Sequence, residues 1–306
     1  MNHGHGAALL FLVVALLPWT ALPSPGARGR VDPGAPFIDL RTPLPPFAHV
    51  TGGRFGMGSR EEDIRSAFAD CQFEPRGAHC RVEHYGDEQP LREVEVSAFR
   101  MHRHEVSVGD FARCEQARRC KAPPYYRGGQ RFARERYPVS LVSWQDARDY
   151  CAFQGGRLPT EAEFERAARG RSRRTYPWGN LYNDRVSNHG QLATDPTSDT
   201  DGYLELAPIG SFPEGGTPEG IFDLAGNVAE WVYDRYAPEY LPHDLVDPTG
   251  PTASSGSNRR VVRGGHFESP RPDLRGAARQ GQLPTARSPT VGFRCVVPLG
   301  PRPTLE

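Results

Sequence analysis

From Gly170 to Arg259 the chain has almost no helical or strand periodicity, and this limits what it can fold into more than any other feature. Long runs of this kind inside a domain are uncommon, and usually carry function or are pinned by ions. Glycine and proline supply 33 and 30 of the 306 residues. That implies a loop-heavy fold of short elements, yet falls below the level of a disordered low-complexity chain. Within the aperiodic stretch, residues 220–231 read GIFDLAGNVAEW. They set the carboxylates of Asp223 and Glu230 around a glycine turn, with backbone carbonyls between. Hard oxygens at close spacing suit calcium. The plainer alternative makes Asp223 a helix cap and Glu230 an exposed residue of that helix.

The 37 basic and 37 acidic residues cancel, which excludes non-specific nucleic-acid binding and general attraction to anionic membranes. One basic cluster, Arg166, Arg169, Arg171, Arg173 and Arg174, reads as a solvated helix end and loop. Residues 1–22 read as a secretory signal peptide. The apolar run from Ala7 to Leu17 is too short to span a bilayer, and Pro18 follows it closely. Its leading segment has histidines where Lys or Arg is usual. No cysteine precedes Cys71, so a lipid anchor at the signal junction is not expected. Residues 23–45 read as a Pro/Gly-rich linker, 46–298 as the domain and 299–306 as a tail. The mature chain is therefore expected to be secreted or periplasmic, with no transmembrane segment. Six cysteines in an exported chain are most simply three disulfides. Fifteen pairings exist in principle; spacing favours Cys71–Cys80 and Cys114–Cys120, leaving Cys151 with Cys295. Thiolate metal binding is the alternative, although no CxxC pair occurs.

Capping boxes mark three helix starts: Ser107 with Asp110, Ser143 with Asp146, and Thr160 with Glu163. Strand-like stretches are 92–101, 259–262 and 291–297. His102 and His104 alternate and read as an exposed strand face rather than a metal pair. Tyr125 and Tyr126, beside Gly128 and Gly129, read as core aromatics or as the lining of a groove.

Several segments then fall into one order: GGRFGMGS (52–59), HEVSVGDF (104–111), PVSLVSWQDARDYCAFQGGRLPTEAEFERAARG (138–170), YPWGN (176–180), GIFDLAGNVAEW (220–231), RVVRGGHF (260–267) and VGFRC (291–295). Over residues 46–298 the chain resembles the formylglycine-generating enzyme, or sulfatase-modifying factor, family. The resemblance implies an α+β domain with little regular secondary structure, related to C-type lectin-like folds, and again a Cys151–Cys295 disulfide. It also implies two calcium sites. One comprises Asp223, the carbonyls of Gly226 and Val228, and Glu230; the other comprises Asn188 and Asp201 with the carbonyls of His189 and Tyr203. The first set places oxygens at positions 1, 4, 6 and 8, which can wrap one ion if the segment curls at Gly226.

The family's enzymes oxidise a substrate cysteine to formylglycine with copper held by two cysteines just after the RGG motif. Here that segment, Arg263 to Arg279, reads RGGHFESPRPDLRGAAR and holds no cysteine. Glu268, Ser269, Pro270 and Asp273 stand there instead. Carboxylates and hydroxyls are too hard for Cu(I), so copper is not expected. The serine usual after RGG is His266, and the tryptophan usual two before the last of GNxxEW is Ala229. Gly276 and Ala167 stand where the family's second core disulfide would be. A non-haem iron site needs two histidines and a carboxylate; His266, Glu268 and Asp273 supply one histidine, and His189 or His243 would have to come from distant loops. Iron is therefore not expected either, and no GxSxG elbow supports a serine nucleophile.

The expected protein is an exported, calcium-stabilised domain of this family that acts as a non-catalytic binding or scaffold module. Its cleft, at His266, Glu268, Asp273 and Arg279, would meet a protein, peptide or envelope component. The alternative is a divergent metal-dependent oxidoreductase acting on a protein or cofactor in the cell envelope, with those four residues as its working surface.

Overall fold

The computed structural model describes residues 46–73, 80–121, 123–124, 130–190, 201–240, 245–253 and 257–300. The chain divides into Met1–Leu44, which lies outside the described residues, and Pro45–Glu306, the unit treated below. The signal peptide, the linker, most of the tail, Tyr125, Tyr126 and His243 also lie outside them.

Each capping box opens a helix. Helix α1 (Glu61–Phe73) was not marked by one, but carries Glu61, Glu62 and Asp63 in its first turn, where the helix dipole favours acids. Ser107, Ser143 and Thr160 then cap α2 (Val108–Gln116), α3 (Trp144–Phe153) and α4 (Glu161–Arg169), each accepting the backbone N–H three residues on at 3.1–3.2 Å. The expected strand at 92–101 is two strands in two sheets. Strand β1 (Phe47–Val50) pairs with β4 (Phe99–His102), and β2 (Gly53–Met57) with β3 (Arg92–Val96). Asp247 causes the break: its carboxylate accepts both the backbone N–H and the hydroxyl of Ser97 at 2.6 Å, taking that residue out of either ladder.

The third sheet joins β5 (Ala229–Arg235), β6 (Arg260–Arg263), β7 (Arg279–Gln282) and β8 (Val291–Gly292) in the order β7-β6-β5-β8, with β5 and β8 parallel. Strand β9 (Val296–Pro298) pairs with β4, so the 291–297 stretch also serves two sheets. Between β8 and β9, Arg294 and Cys295 turn inward and are fully buried. All three disulfides form in the favoured pairing, and the Cys151–Cys295 bond ties α3 to this crossing. No thiol is left for metal binding. Around that bond pack Phe111, Trp144, Tyr150, Trp231 and Phe293. The two tryptophans anchor through their indole N–H groups, Trp144 to the Val232 carbonyl and Trp231 to that of Val142. A second core forms where β1–β4 meet Phe164 and Ala168 of α4.

Helix α4 is buried along its whole length although five of its nine residues are charged. Those charges are paired within the protein. Arg263 of β6 donates to Glu161 at 2.7 Å and to Glu165 at 2.8 Å; Arg279 of β7 makes two bonds to Glu161, and Arg169 one to Glu165. The arginine cluster at 166–174 is therefore not a solvated end, except at Arg171, which is exposed. Arg166 donates to the Thr51 carbonyl, Arg169 also to that of Gly58, and Arg173 pairs with Asp63 at 2.9 Å. These residues do stand at the helix C-terminus, as the dipole favours, but the sheets close over that end. Nor do His102 and His104 form an exposed face. They lie half-buried against Phe47 and Phe222, and burial pulls both to about 4.

Removing Arg263 leaves Glu161 and Glu165 each short of a partner in the interior. Arg263→Met should cost about 3–5 kcal/mol in denaturant unfolding; a loss under about 1 kcal/mol would mean that the pairing does not hold α4 in place. Asp234 accepts the Glu161 backbone N–H at 2.8 Å, while burial, reinforced by the Glu161 charge, raises its carboxyl from 3.8 to about 8. The folded state thus holds this proton more tightly than the unfolded one. Its contribution to stability is full below the ordinary value and is lost as pH rises through the raised one. Asp234→Asn keeps the acceptor without the charge. It should flatten the decline in stability between about pH 4 and 8, and be the more stable protein at about pH 8.5, by thermal unfolding across pH.

Candidate functional site

The 220–231 segment curls as its glycine turn suggests, with positive φ at Asp223, Gly226 and Asn227. A side chain at Gly226 would strike the Asn188 backbone at 2.2 Å, so only glycine fits there. The helix-cap alternative fails. Asp223 precedes no helix and accepts the Gly210 N–H at 2.7 Å, and Glu230 is a fully buried residue of β5. Both Glu230 oxygens accept from Arg294, which also donates to the carbonyls of Phe222 and Asp223.

A third carboxylate, absent from the expected set, completes this cluster. Buried Glu105 accepts the Val228 N–H at 3.2 Å and the Asn227 amide at 2.8 Å. No local pattern marks it, since its partners lie 122 and 123 residues away. Burial, then the charges of Asp223 and Glu230, push Glu105 well above the usual carboxylate range. Burial raises Asp223 to about 6, and raises Glu230 against the opposing pull of Arg294. Three buried carboxylates facing one buried guanidinium leave negative charge that protons or a cation must offset.

The second set lies alongside the first. Asp201 accepts the backbone N–H groups of His189 at 3.0 Å and Tyr203 at 2.9 Å, which brings those two segments together. The Asn188 amide donates to the Glu205 carbonyl and to Asn227 Oδ1, leaving its own oxygen as a potential ligand. Its carbonyl accepts the Asn227 N–H at 2.6 Å, so Asn227 joins the two sets. The His189 ring meets Tyr182 Oη at 2.6 Å and Ser187, which makes it a structural residue rather than a recruit to the cleft.

The cleft is a cavity of about 670 Å³ at the edge of the third sheet. Gly264, Gly265 and His266 line it on one side, with Asp273 and Arg279. Across from them stand Tyr85, Asp87 and the Cys71–Cys80 disulfide, which sequence reasoning did not place there. Burial pulls His266 to about 4, so it is neutral at physiological pH, and its Nδ1 accepts the Glu268 N–H at 3.1 Å. That turn sends Glu268 outward: it is exposed and does not line the cavity. Arg279 lines the wall but is spent inside the protein, on Glu161 and on the carbonyls of Asp87 and Ala237. Of the four expected cleft residues, His266 and Asp273 keep groups available to a ligand. Among the described residues, no cluster of three or more His, Cys, Asp or Glu is arranged to hold a metal ion.

The sequence profile of the family described as "Sulfatase-modifying factor enzyme 1-like domain" matches residues 35–299. The chain is 39% identical over 174 residues to the formylglycine-generating enzyme of Thermomonospora curvata, spanning 53% of this chain and 56% of that protein. It is 37% identical over 171 residues to "Inactive C-alpha-formylglycine-generating enzyme 2" of Mus musculus, spanning 53% and 50%. The chain thus spans about half the length of the curated enzymes it matches. In three dimensions it is similar to PvdO from Pseudomonas aeruginosa, with a TM-score of 0.66 over 83% of this chain and 94% of that one, at 23% identity. That likeness concerns the fold alone. The profile match, the shared motifs and the fold together make the chain a member of the sulfatase-modifying factor, or formylglycine-generating enzyme, family.

Proposed function

We propose that this protein is an exported, calcium-pinned binding module on the formylglycine-generating-enzyme scaffold, holding a protein, peptide or envelope component in the cleft beside His266. One observation carries the reading: all six cysteines are used in disulfides, and the segment from Arg263 to Arg279 contains none. Thiolate ligands for copper, which the family's oxidation needs, are missing from the chain. Relatives named as inactive forms of the enzyme show that the scaffold is also used without that activity. Three disulfides suit an oxidising compartment, and among the described residues no helix is long and apolar enough to cross a membrane.

Calcium answers the surplus charge at Glu105, Asp223 and Glu230. An ion held by Asp223 and the carbonyls of Gly226 and Val228 would share Glu230 with Arg294. A second, held by Asn188, Asp201 and the carbonyls of His189 and Tyr203, would fix the neighbouring loop. Both would tie down the aperiodic region that has no ladder of its own.

A second reading, a divergent metal-dependent oxidoreductase, draws on the neutral His266 and on Asp273, whose carboxyl burial raises to about 6, in the same cleft. Perturbed titrating groups in a cavity are common at active sites.

Elemental analysis of protein purified from an oxidising compartment, without chelators, separates the readings. The binding-module reading expects one calcium for each proposed set and no stoichiometric copper or iron; stoichiometric iron or copper would favour the oxidoreductase. Excess chelator should lower the melting temperature by about 5–10 °C, and an unchanged value would count against calcium. Thiol titration of denatured, unreduced protein should find no free cysteine. Any substantial thiol content would reopen cysteine-based oxidation.

A further inference from the structure

One rung of the third sheet is rich in cationic donors and lacks an acid. Arg235 of β5 stands directly opposite Arg260 of β6, and Arg260 in turn opposite Gln282 of β7. Residues paired in this way point to one face of a sheet, and like charges directly opposite each other are destabilising. Arg148 of α3 adds a third guanidinium, since its charge and that of Arg235 both bear on Arg260. None of these four residues lines the cleft.

The acids nearby do not relieve the repulsion. Asp146 is taken by Arg287 at 2.6 Å. Asp234 follows the alternation of β5 to the other face, where it accepts the Glu161 N–H. Asp149 accepts the Gln145 amide and comes no nearer to Arg148 than 3.7 Å, in an exposed contact worth little. Among the described residues neither Arg235 nor Arg260 forms an ion pair, and Arg235 makes no side-chain hydrogen bond.

A run of exposed arginines would simply be solvated, but these are held. Arg235 and Arg260 are part-buried. The Arg260 guanidinium lies 3.8 Å from the centroid of the Trp144 ring, which the indole bond to Val232 fixes in turn. Its Nη1 donates to the Tyr233 carbonyl at 2.6 Å. Arg148 flanks the same tryptophan ring at 5.5 Å. Stacking occupies the faces of a guanidinium and leaves its N–H edges to bond elsewhere. The site thus offers oriented donors and a positive field that no group of the chain itself neutralises.

We propose that Arg148, Arg235 and Arg260, with the Gln282 amide beside them, bind a phosphate dianion, either free or as a monoester. A tetrahedral dianion presents oxygens to several guanidinium groups at once, whereas a monocarboxylate can engage one fork. The site stands apart from the cleft, so it holds or fails independently of how the cleft is read.

Calorimetric titrations of the whole chain at pH 7.5 and constant ionic strength test this with inorganic phosphate, glucose 6-phosphate and acetate. Phosphate should bind and acetate should not. Arg235→Gln should weaken phosphate by about tenfold or more, as expected on losing a charge-assisted bond. Arg260→Lys should also weaken it, because an ammonium cannot present the planar fork. Arg65→Gln, on the exposed face of α1, should leave it unchanged, and melting curves confirm that each variant is folded. In phosphate-free buffer Arg235→Gln should melt about 1–3 °C higher, since it removes the like-charge pair. A lower melting temperature would make Arg235 a structural residue and overturn the site. Glucose 6-phosphate binding at least as tightly as the free ion identifies a phosphomonoester as the ligand, and binding of inorganic phosphate alone identifies the ion. Acetate binding as tightly as phosphate, an affinity unchanged in Arg235→Gln, or no binding of either phosphate would each overturn the proposal.

Discussion

The rest of the structure hangs on how Glu161 and Glu165 of α4 are neutralised inside the protein. Arg263 spans both carboxylates and Arg279 doubles the bond to Glu161, so neighbouring strands of the third sheet are bolted to a helix with no solvent face. A buried pair of this kind adds little net stability over a hydrophobic isostere, but losing one partner strands the other. Its value here is positional. Arg263 begins the RGG turn, so fixing its guanidinium also fixes Gly264, Gly265 and His266 at the mouth of the cleft. Arg279 closes the opposite end of the same segment. The cleft thus sits on a rigid frame, although most of its rim is loop.

The same device recurs next to it, around Glu230, the β5 partner of Arg263, with a different balance. Arg294 sits between β8 and β9 and gathers Glu230 and the carbonyls around Asp223. Glu105 adds a further carboxylate through Asn227 and Val228. Around α4, guanidinium groups match the glutamates; around Asp223, carboxylates outnumber guanidinium. One cluster is a closed structural lock; in the other, burial and mutual repulsion raise the carboxyls, so that protons or a cation must offset the surplus charge.

Much of the fold was legible because its signals are local. Ser107, Ser143 and Thr160 each declare a helix three residues ahead, and cysteine spacing points to the disulfides. Where local reading failed, a distant partner had intervened. Asp247 splits the 92–101 strand by capturing Ser97, and Thr51 and Gly58 turn an apparently solvated arginine run into internal struts. The cleft divides in the same way. His266, Asp273 and Arg279 do line it, but Glu268 turns out to solvent and Arg279 proves committed. Asp87 and Tyr85 were invisible as cleft residues, because nothing in their own stretch says which distant turn they will face.

By itself the sequence determined the family, the starts of α2, α3 and α4, the local cysteine pairs Cys71–Cys80 and Cys114–Cys120, and the absence of a thiol after RGG. Each is a matter of residue identity or short spacing, which no packing can alter. Tertiary structure decided which charges are satisfied. Glu161 and Glu165 found arginines across the sheet, Glu105 joined Asp223 and Glu230 from more than a hundred residues away, and Asp87 and Asp273, far apart in the chain, came to line one cavity. A carboxylate's cost or usefulness depends on the donors and dielectric around it, and those are set when distant segments pack together.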